Sequence, residues 1–159
     1  MLGSFAEGLV NNTIDWYLRE GIAYFRKSYT PISILDKCSS LDFRAKFSDL
    51  ADIDYYGVYK GKYISFEVKE TNKDYFLLSQ IRDHQKEILI KLLDFSAVSF
   101  LLINFSSYND ASYLITSDRL KELFDRKKKK IFFSEIETIG KHIPISFPGV
   151  IDFLKVLDL

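Results

Sequence analysis

The chain is 159 residues long, 47% hydrophobic and 16% aromatic, which is enough material for one packed domain without disulfide or metal staples. Seven Gly, three Pro and 28% charged residues exclude a collagen-like, low-complexity or disordered polymer. Lys plus Arg and Asp plus Glu balance at 22 each, so the chain does not advertise polyanion binding, and any nucleic-acid surface must come from segregated charge.

A three-to-four spacing of Phe5, Leu9, Ile14, Tyr17 and Leu18 predicts an amphipathic helix over Phe5 to Arg19, capped by Ser4 and stopped at Gly21. Ile22 to Phe25 and Ile32 to Leu35, separated by a polar stretch with Pro31, read as short strands or as one interrupted strand. Asp36 to Asp49 has no clean period and reads as irregular. The lone Cys38 within it cannot close an internal disulfide, which fits a reducing compartment. Asp52 to Glu70 alternates aromatic and branched residues with polar ones about Lys60-Gly61, a hairpin with a tight turn.

Ser79 to Asp94 follows as an amphipathic helix, with Ser79 or Asp74 as its cap. Ala97 to Phe105 reads as a strand buried on both faces, then come a strand from Ser112 to Thr116 and a helix from Asp118 to Lys127. The basic run Arg126 to Lys130, a Phe-rich patch and an apolar tail from Phe147 complete the chain. No repeat or linker divides it, so the whole of 1–159 reads as one α/β domain. The longest apolar run, near Val98 to Phe105, is far too short to span a bilayer. The first ten residues carry Glu7 and no basic stretch, so the expectation is a cytoplasmic protein without a membrane role.

A two-residue turn at Lys60-Gly61 sets Asp54 opposite Glu67 and Asp52 opposite Lys69. Alternation then gathers these four on one face of the hairpin, with Ile64, Phe66 and Val68 on the other: one charged face and one core face. Carboxylates directly opposite one another, about 5 Å apart, repel unless a cation offsets them. Mg²⁺ uses one or two carboxylates with waters and phosphates, and a lysine beside it can orient water or neutralise developing charge. Alternating Glu-Val-Lys-Glu is equally what a solvated sheet face looks like, and spacing alone leaves both readings open.

The stretch DYYGVYKGKYISFEVKET, followed by DHQ, resembles the active-site region of the RecU-type Holliday junction resolvases, bacterial members of the PD-(D/E)xK nuclease fold. GSFAEGLVNNTIDWYL is similar to that family's opening helix, YTPISIL to its Thr-Pro strand entry, and Phe124-Asp125-Arg126 to its Trp-Asp-Arg. Ile143 to Leu157 follows its C-terminal pattern through Ile151-Asp152.

The resemblance implies a restriction-endonuclease-like core, a mixed central β-sheet with flanking helices. It also implies catalysis by Asp54, Glu67 and Lys69, metal held by Asp54 and Glu67, and a helix acid at Glu7 near the site. The cofactor implied is Mg²⁺, with Mn²⁺ as the alternative. Where the family reads His-x-His-Gln, this chain has Arg82-Asp83-His84-Gln85, so one imidazole is missing. The family's stalk corresponds to the short segment 36–49, with Lys37, Arg44 and Lys46 as its cations.

His84 and Gln85 open the helix after the hairpin, where they can meet a phosphate or the attacking water, or form a solvated helix face. His142, beside Pro144, reads as a loop residue. Arg126, Lys127, Lys128, Lys129 and Lys130 can track a DNA backbone, as can Arg44 and Lys46, or the run can be a solvated helix end. Tyr24, Tyr29, Tyr55, Tyr56 and Tyr59 can stack on opened bases, although packing is the commoner use of such residues.

The leading functional expectation is a homodimeric endonuclease of four-way DNA junctions in the bacterial cytoplasm, acting in recombination and repair. The alternatives are a same-fold nuclease with another DNA target and a catalytically silent DNA-binding protein.

Overall fold

In a computed structural model, which describes residues 4–37, 43–47 and 53–159, helix α1 (Phe5–Arg19) lies across one face of a six-stranded sheet. Ser4 starts the helix by accepting the Glu7 N–H on its hydroxyl, at 3.2 Å, and Gly21, with φ +67°, turns the chain after its end. The strands that follow are β1 (Tyr24–Lys27), β2 (Ile32–Lys37), β3 (Phe43–Phe47), β4 (Tyr55–Tyr59), β5 (Lys62–Thr71) and β6 (Tyr75–Leu77). Helix α2 (Asp83–Lys91) then leads to β7 (Val98–Phe105), β8 (Ala111–Thr116), α3 (Ser117–Asp125), β9 (Lys130–Phe132) and α4 (Phe133–Ile139). The chain closes with β10 (Lys141–Ile143), β11 (Ile145–Ser146), β12 (Val150–Ile151) and a 3-10 turn at Phe153–Val156.

The main sheet runs β1-β4-β5-β7-β8-β10, antiparallel throughout except for β5 and β7. A parallel pair needs a long crossover, and α2 supplies it. Ala6, Leu9, Val10, Ile14 and Tyr17 of α1 pack on one sheet face with Phe25, Phe66, Phe100 and Phe153. Leu89, Leu120, Leu123 and Ile136, from α2, α3 and α4, pack on the other with Leu101, Ile103 and Phe105. This is the mixed sheet flanked by helices that the sequence implies.

The hairpin turn is where alternation put it. Lys60 and Gly61 both have positive φ, 48° and 75°, the conformation whose twist suits two antiparallel strands. Gly57 has a different cause: a Cβ there would stand 2.1 Å from the Tyr24 carbonyl oxygen and 2.4 Å from the Phe25 ring, so β1 and β4 approach this closely only over glycine.

Several expectations change. The segment read as irregular contains β3, paired antiparallel with β2 in a separate two-stranded sheet, while residues 38–42, with Cys38, and 48–52, with Asp52, lie outside the described residues. The helix expected from Ser79 begins at Asp83 after a 3-10 turn at Leu78–Gln80, and neither Ser79 nor Asp74 caps it. The next helix stops at Asp125, short of Lys127, because the chain turns into β9, which pairs with β6. His142 lies in strand β10 opposite Tyr113 rather than in a loop. Tyr55 is buried and donates to Asn11 at 2.9 Å, and Tyr59 packs against the α1-side core, so these two serve packing.

Candidate active site

Asp54 precedes β4, and the ladder from Tyr55↔Phe66 to Tyr59↔Lys62 extends to set it opposite Glu67. Its backbone is fixed from the neighbouring edge, where the Ser28 N–H donates to the Asp54 carbonyl at 2.7 Å. Glu67 is held from the opposite face. Tyr55, Phe66 and Phe100, in register on β4, β5 and β7, stack with centroids 5.1 and 4.6 Å apart and interplanar angles of 8° and 6°. That column pins Phe66, and with it the direction in which Glu67 must point.

The two carboxylates engage each other's backbone rather than only repelling. The Asp54 N–H donates to Glu67 Oε2 at 3.2 Å, and the Val68 N–H donates to Asp54 Oδ2 at 3.1 Å. Lys69 Nζ donates to Glu67 Oε1 at 2.5 Å, and Gln85 Nε2 donates to the same oxygen at 2.5 Å. Gln85 Oε1 accepts the Arg82 N–H at 3.0 Å, so one amide both satisfies the first turn of α2 and fixes Glu67.

The face expected to be charged is covered at this point. Glu67 is 0% exposed and Gln85 4%, because α2 crosses above β5. Burial, and after it the Asp54 charge, push the Glu67 carboxyl up to about 7 against the opposing pull of Lys69.

The other candidates divide. Glu7 accepts from Lys27 Nζ at 2.7 Å, and this pair lies on the α1 side of the sheet, since Lys27 shares the strand face of Phe25 while Glu67 faces α2. The described contacts join Glu7 to Lys27, not to the two carboxylates. His84 is half-buried in the first turn of α2, beside Gln85.

Arg44 and Lys46 are exposed on β3. Arg126 and Lys127 form the turn after α3, and Lys129 leads into β9, its carbonyl accepting the Leu78 N–H at 3.0 Å. Lys128 is tied to the Glu135 carboxylate, whereas Arg126, Lys127, Lys129 and Lys130 have no carboxylate partner among the described residues.

Sequence reasoning passed over Lys27. Its only signal is its place at the end of a strand four residues before Pro31, and nothing local reveals that Glu7 lies across from it.

Among the described residues no group of three or more His, Cys, Asp or Glu side chains converges. The oxygen donors gathered here are Asp54 and Glu67, and Gln85 turns its amide N–H toward the latter. A buried carboxylate resisting ionisation beside a second acid is a site short of positive charge, and its hard oxygens suit Mg²⁺ or Mn²⁺.

A family model described as RecU, recombination protein U, matches residues 1–159. The Holliday junction resolvase RecU of Ureaplasma parvum is 35% identical over 157 residues, covering 98% of this chain and 91% of that protein. Those of Oceanobacillus iheyensis and Bacillus cytotoxicus are 34% and 33% identical, covering 98% and 99% of this chain and 84% and 83% of theirs. Among solved structures, Hjc of Archaeoglobus fulgidus, a Holliday junction resolvase, aligns at a TM-score of 0.49 and 15% identity over 80% of this chain and 90% of that one. The sequence matches carry the assignment without it: the chain belongs to the recombination protein U family.

Proposed function

We propose that the protein is a divalent-metal-dependent endonuclease that resolves Holliday junctions in recombination and repair, working in the bacterial cytoplasm as a homodimer on branched DNA. The observation that carries this reading is the convergence of Asp54, Glu67, Lys69 and Gln85 in one hydrogen-bonded set on the hairpin and the crossover helix. Family membership and the names of the bacterial relatives support it. No helix among the described residues is long and apolar enough to cross a membrane.

Asp54 and Glu67 would hold Mg²⁺, with Mn²⁺ as the alternative, and Gln85 would position Glu67 for it through its amide N–H. The ion would supply positive charge against the phosphodiester as negative charge develops on it. Lys69, beside the carboxylates, would donate to the attacking water or to a phosphate oxygen. Arg44 and Lys46 on the β2–β3 hairpin, whose Ile32, Ile34 and Leu35 stand exposed, suit a short stalk-like insertion on a single nuclease domain. Arg126, Lys127, Lys129 and Lys130 would neutralise backbone phosphates, with Lys128 held back by Glu135. The accessory candidates are His84, beside Gln85, and Glu7, paired with Lys27 on the α1 side of the sheet.

The dimer follows from the substrate, which presents two symmetric strands to be cut. A surface for it lies on the sheet face that carries Glu67, where Tyr24, Tyr56, Val58 and Tyr63 are exposed side by side on β1, β4 and β5.

The test is incubation with a labelled four-way junction and with linear duplex, in Mg²⁺ and in chelator. Junction-selective, metal-dependent nicking is expected. Equal cutting of duplex would indicate a same-fold nuclease with another target, and binding without cleavage in any metal would indicate a silent DNA-binding protein.

A further inference from the structure

Past Lys69, β5 continues through Glu70 and Thr71 and opens into a polar cavity of about 430 Å³ between the start of α1 and the 3-10 turn that precedes α2. Ser4, Thr71, Asn72, Lys73, Tyr75 and Gln80 line it. Glu70, the one acid in its wall, is already engaged, its Oε2 accepting the Ala6 N–H at 3.0 Å.

Tyr75, in the cavity wall, has two ammonium groups near its ring, Lys73 Nζ at 5.3 Å and Lys130 Nζ at 4.9 Å from the centroid, and Lys73 also donates to the Tyr75 hydroxyl at 3.3 Å. Lys130 also lies 4.6 Å from the Phe132 centroid, and β6–β9 pairing sets Tyr75 opposite Phe132. Both lysines are exposed, and neither has a carboxylate partner among the described residues, whereas Lys86, Lys121, Lys128 and Lys141 each do. Two like charges drawn to one ring with no counter-ion form a site that lacks its anion.

We infer that Lys73 and Lys130, ranged about Tyr75, grip a phosphate of the cleaved strand next to the scissile one, with the cavity behind them receiving the adjoining sugar-phosphate. This rests on the junction-cutting reading. At about 3.3 Å per residue, Thr71 lies ~7 Å along β5 from Lys69, the axial span of about two phosphates of one strand, so a strand at Lys69 passes this cavity. The Tyr75 ring fixes where the two flexible lysines stand before DNA arrives. The gain is in position as well as in charge.

The test combines Lys73→Ala/Lys130→Ala, and Lys73→Gln/Lys130→Gln as a second pair, with junctions carrying a single uncharged methylphosphonate at successive positions about the cut. Both pairs should unfold like the parent, bind the junction about tenfold more weakly, and show a salt slope shallower by about one. At one position near the cut, the methylphosphonate should slow the parent about tenfold and slow either variant no further. Additive losses at every position, or unchanged affinity and salt slope, would overturn the inference while leaving the enzyme a resolvase. A parent that neither binds nor cuts the unmodified junction would overturn the function and this subsite together.

Discussion

Glu67 shows what burial does to a carboxylate. It lies wholly under α2, with Lys69 and Gln85 on one oxygen and the Asp54 N–H on the other, and still stays protonated up to about pH 7 because desolvation and Asp54 outweigh Lys69. Between its ordinary value of 4.5 and about 7 the folded protein binds a proton that the unfolded chain has released, so metal-free stability falls as pH rises through that window. The slope approaches ~1.4 kcal/mol per pH unit at most. Glu67→Gln should flatten it, as read by denaturant unfolding at pH 5, 6, 7 and 8 in chelator; parallel curves for parent and variant would show that Glu67 ionises normally. Adding Mg²⁺ at about 100 times its dissociation constant should stabilise the parent by roughly 2.7 kcal/mol. Glu67→Gln and Asp54→Asn should lose that response, and Lys69→Ala should keep it, since an ammonium is not a cation ligand. Four proteins responding alike in thermal unfolding would remove the carboxylate pair as the metal site.

Among the elements, the C-terminal turn shows how a distant segment is fastened. Tyr17 of α1 donates to Asp152 at 2.7 Å and accepts the buried Leu154 N–H at 3.1 Å, while Thr13 accepts the Ile151 N–H at 2.9 Å. Tyr17→Phe leaves Leu154 N–H without its partner and should cost about 1–3 kcal/mol in chemical unfolding; a loss within error would mean that water replaces the hydroxyl. The basic turn divides similarly. Lys127→Ala/Lys129→Ala should weaken junction binding and flatten its salt dependence, whereas Lys128→Ala, which releases Glu135, should leave affinity nearly unchanged. A Lys128→Ala effect on binding as large as that of the pair would mean that its contact with Glu135 does not hold it back. These distinctions are of the kind the sequence does not carry. The Lys60-Gly61 turn and the strands on either side are legible because alternation and positive-φ chemistry are local, and so is the opposition of Asp54 to Glu67. The burial of Glu67, the reach of Gln85 across 18 residues and the three-residue strands β6, β9 and β10 all depend on partners far along the chain, which no local period encodes.

At the scale of the whole molecule, the sheet face bearing the site is covered by α2 above β5 and left open over β1 and β4. Tyr24, Tyr56, Val58 and Tyr63 share it through the registers Tyr24↔Val58 and Val58↔Tyr63, on strand positions that alternate with the core-facing Tyr55, Ile64 and Phe66. Isolated exposed apolar residues are ordinary, but four neighbours on one pleated surface form a patch that a partner can cover. The proposed homodimer would use it, because resolution needs two strands nicked and a two-fold axis beside the site would aim two centres at symmetric strands. Tyr56→Glu/Tyr63→Glu puts two charges into that surface without touching Asp54, Glu67, Lys69 or Gln85. Light scattering should give a dimer mass for the parent and a monomer mass for the variant at micromolar concentration, with the Mg²⁺ stabilisation retained in both. On a supercoiled plasmid with an extruded cruciform, the parent should convert circles directly to linear product, and the variant should accumulate nicked circles first. A parent that is monomeric with and without junction DNA, or a variant that remains a dimer and still linearises the plasmid, would place the partner, if any, on another face.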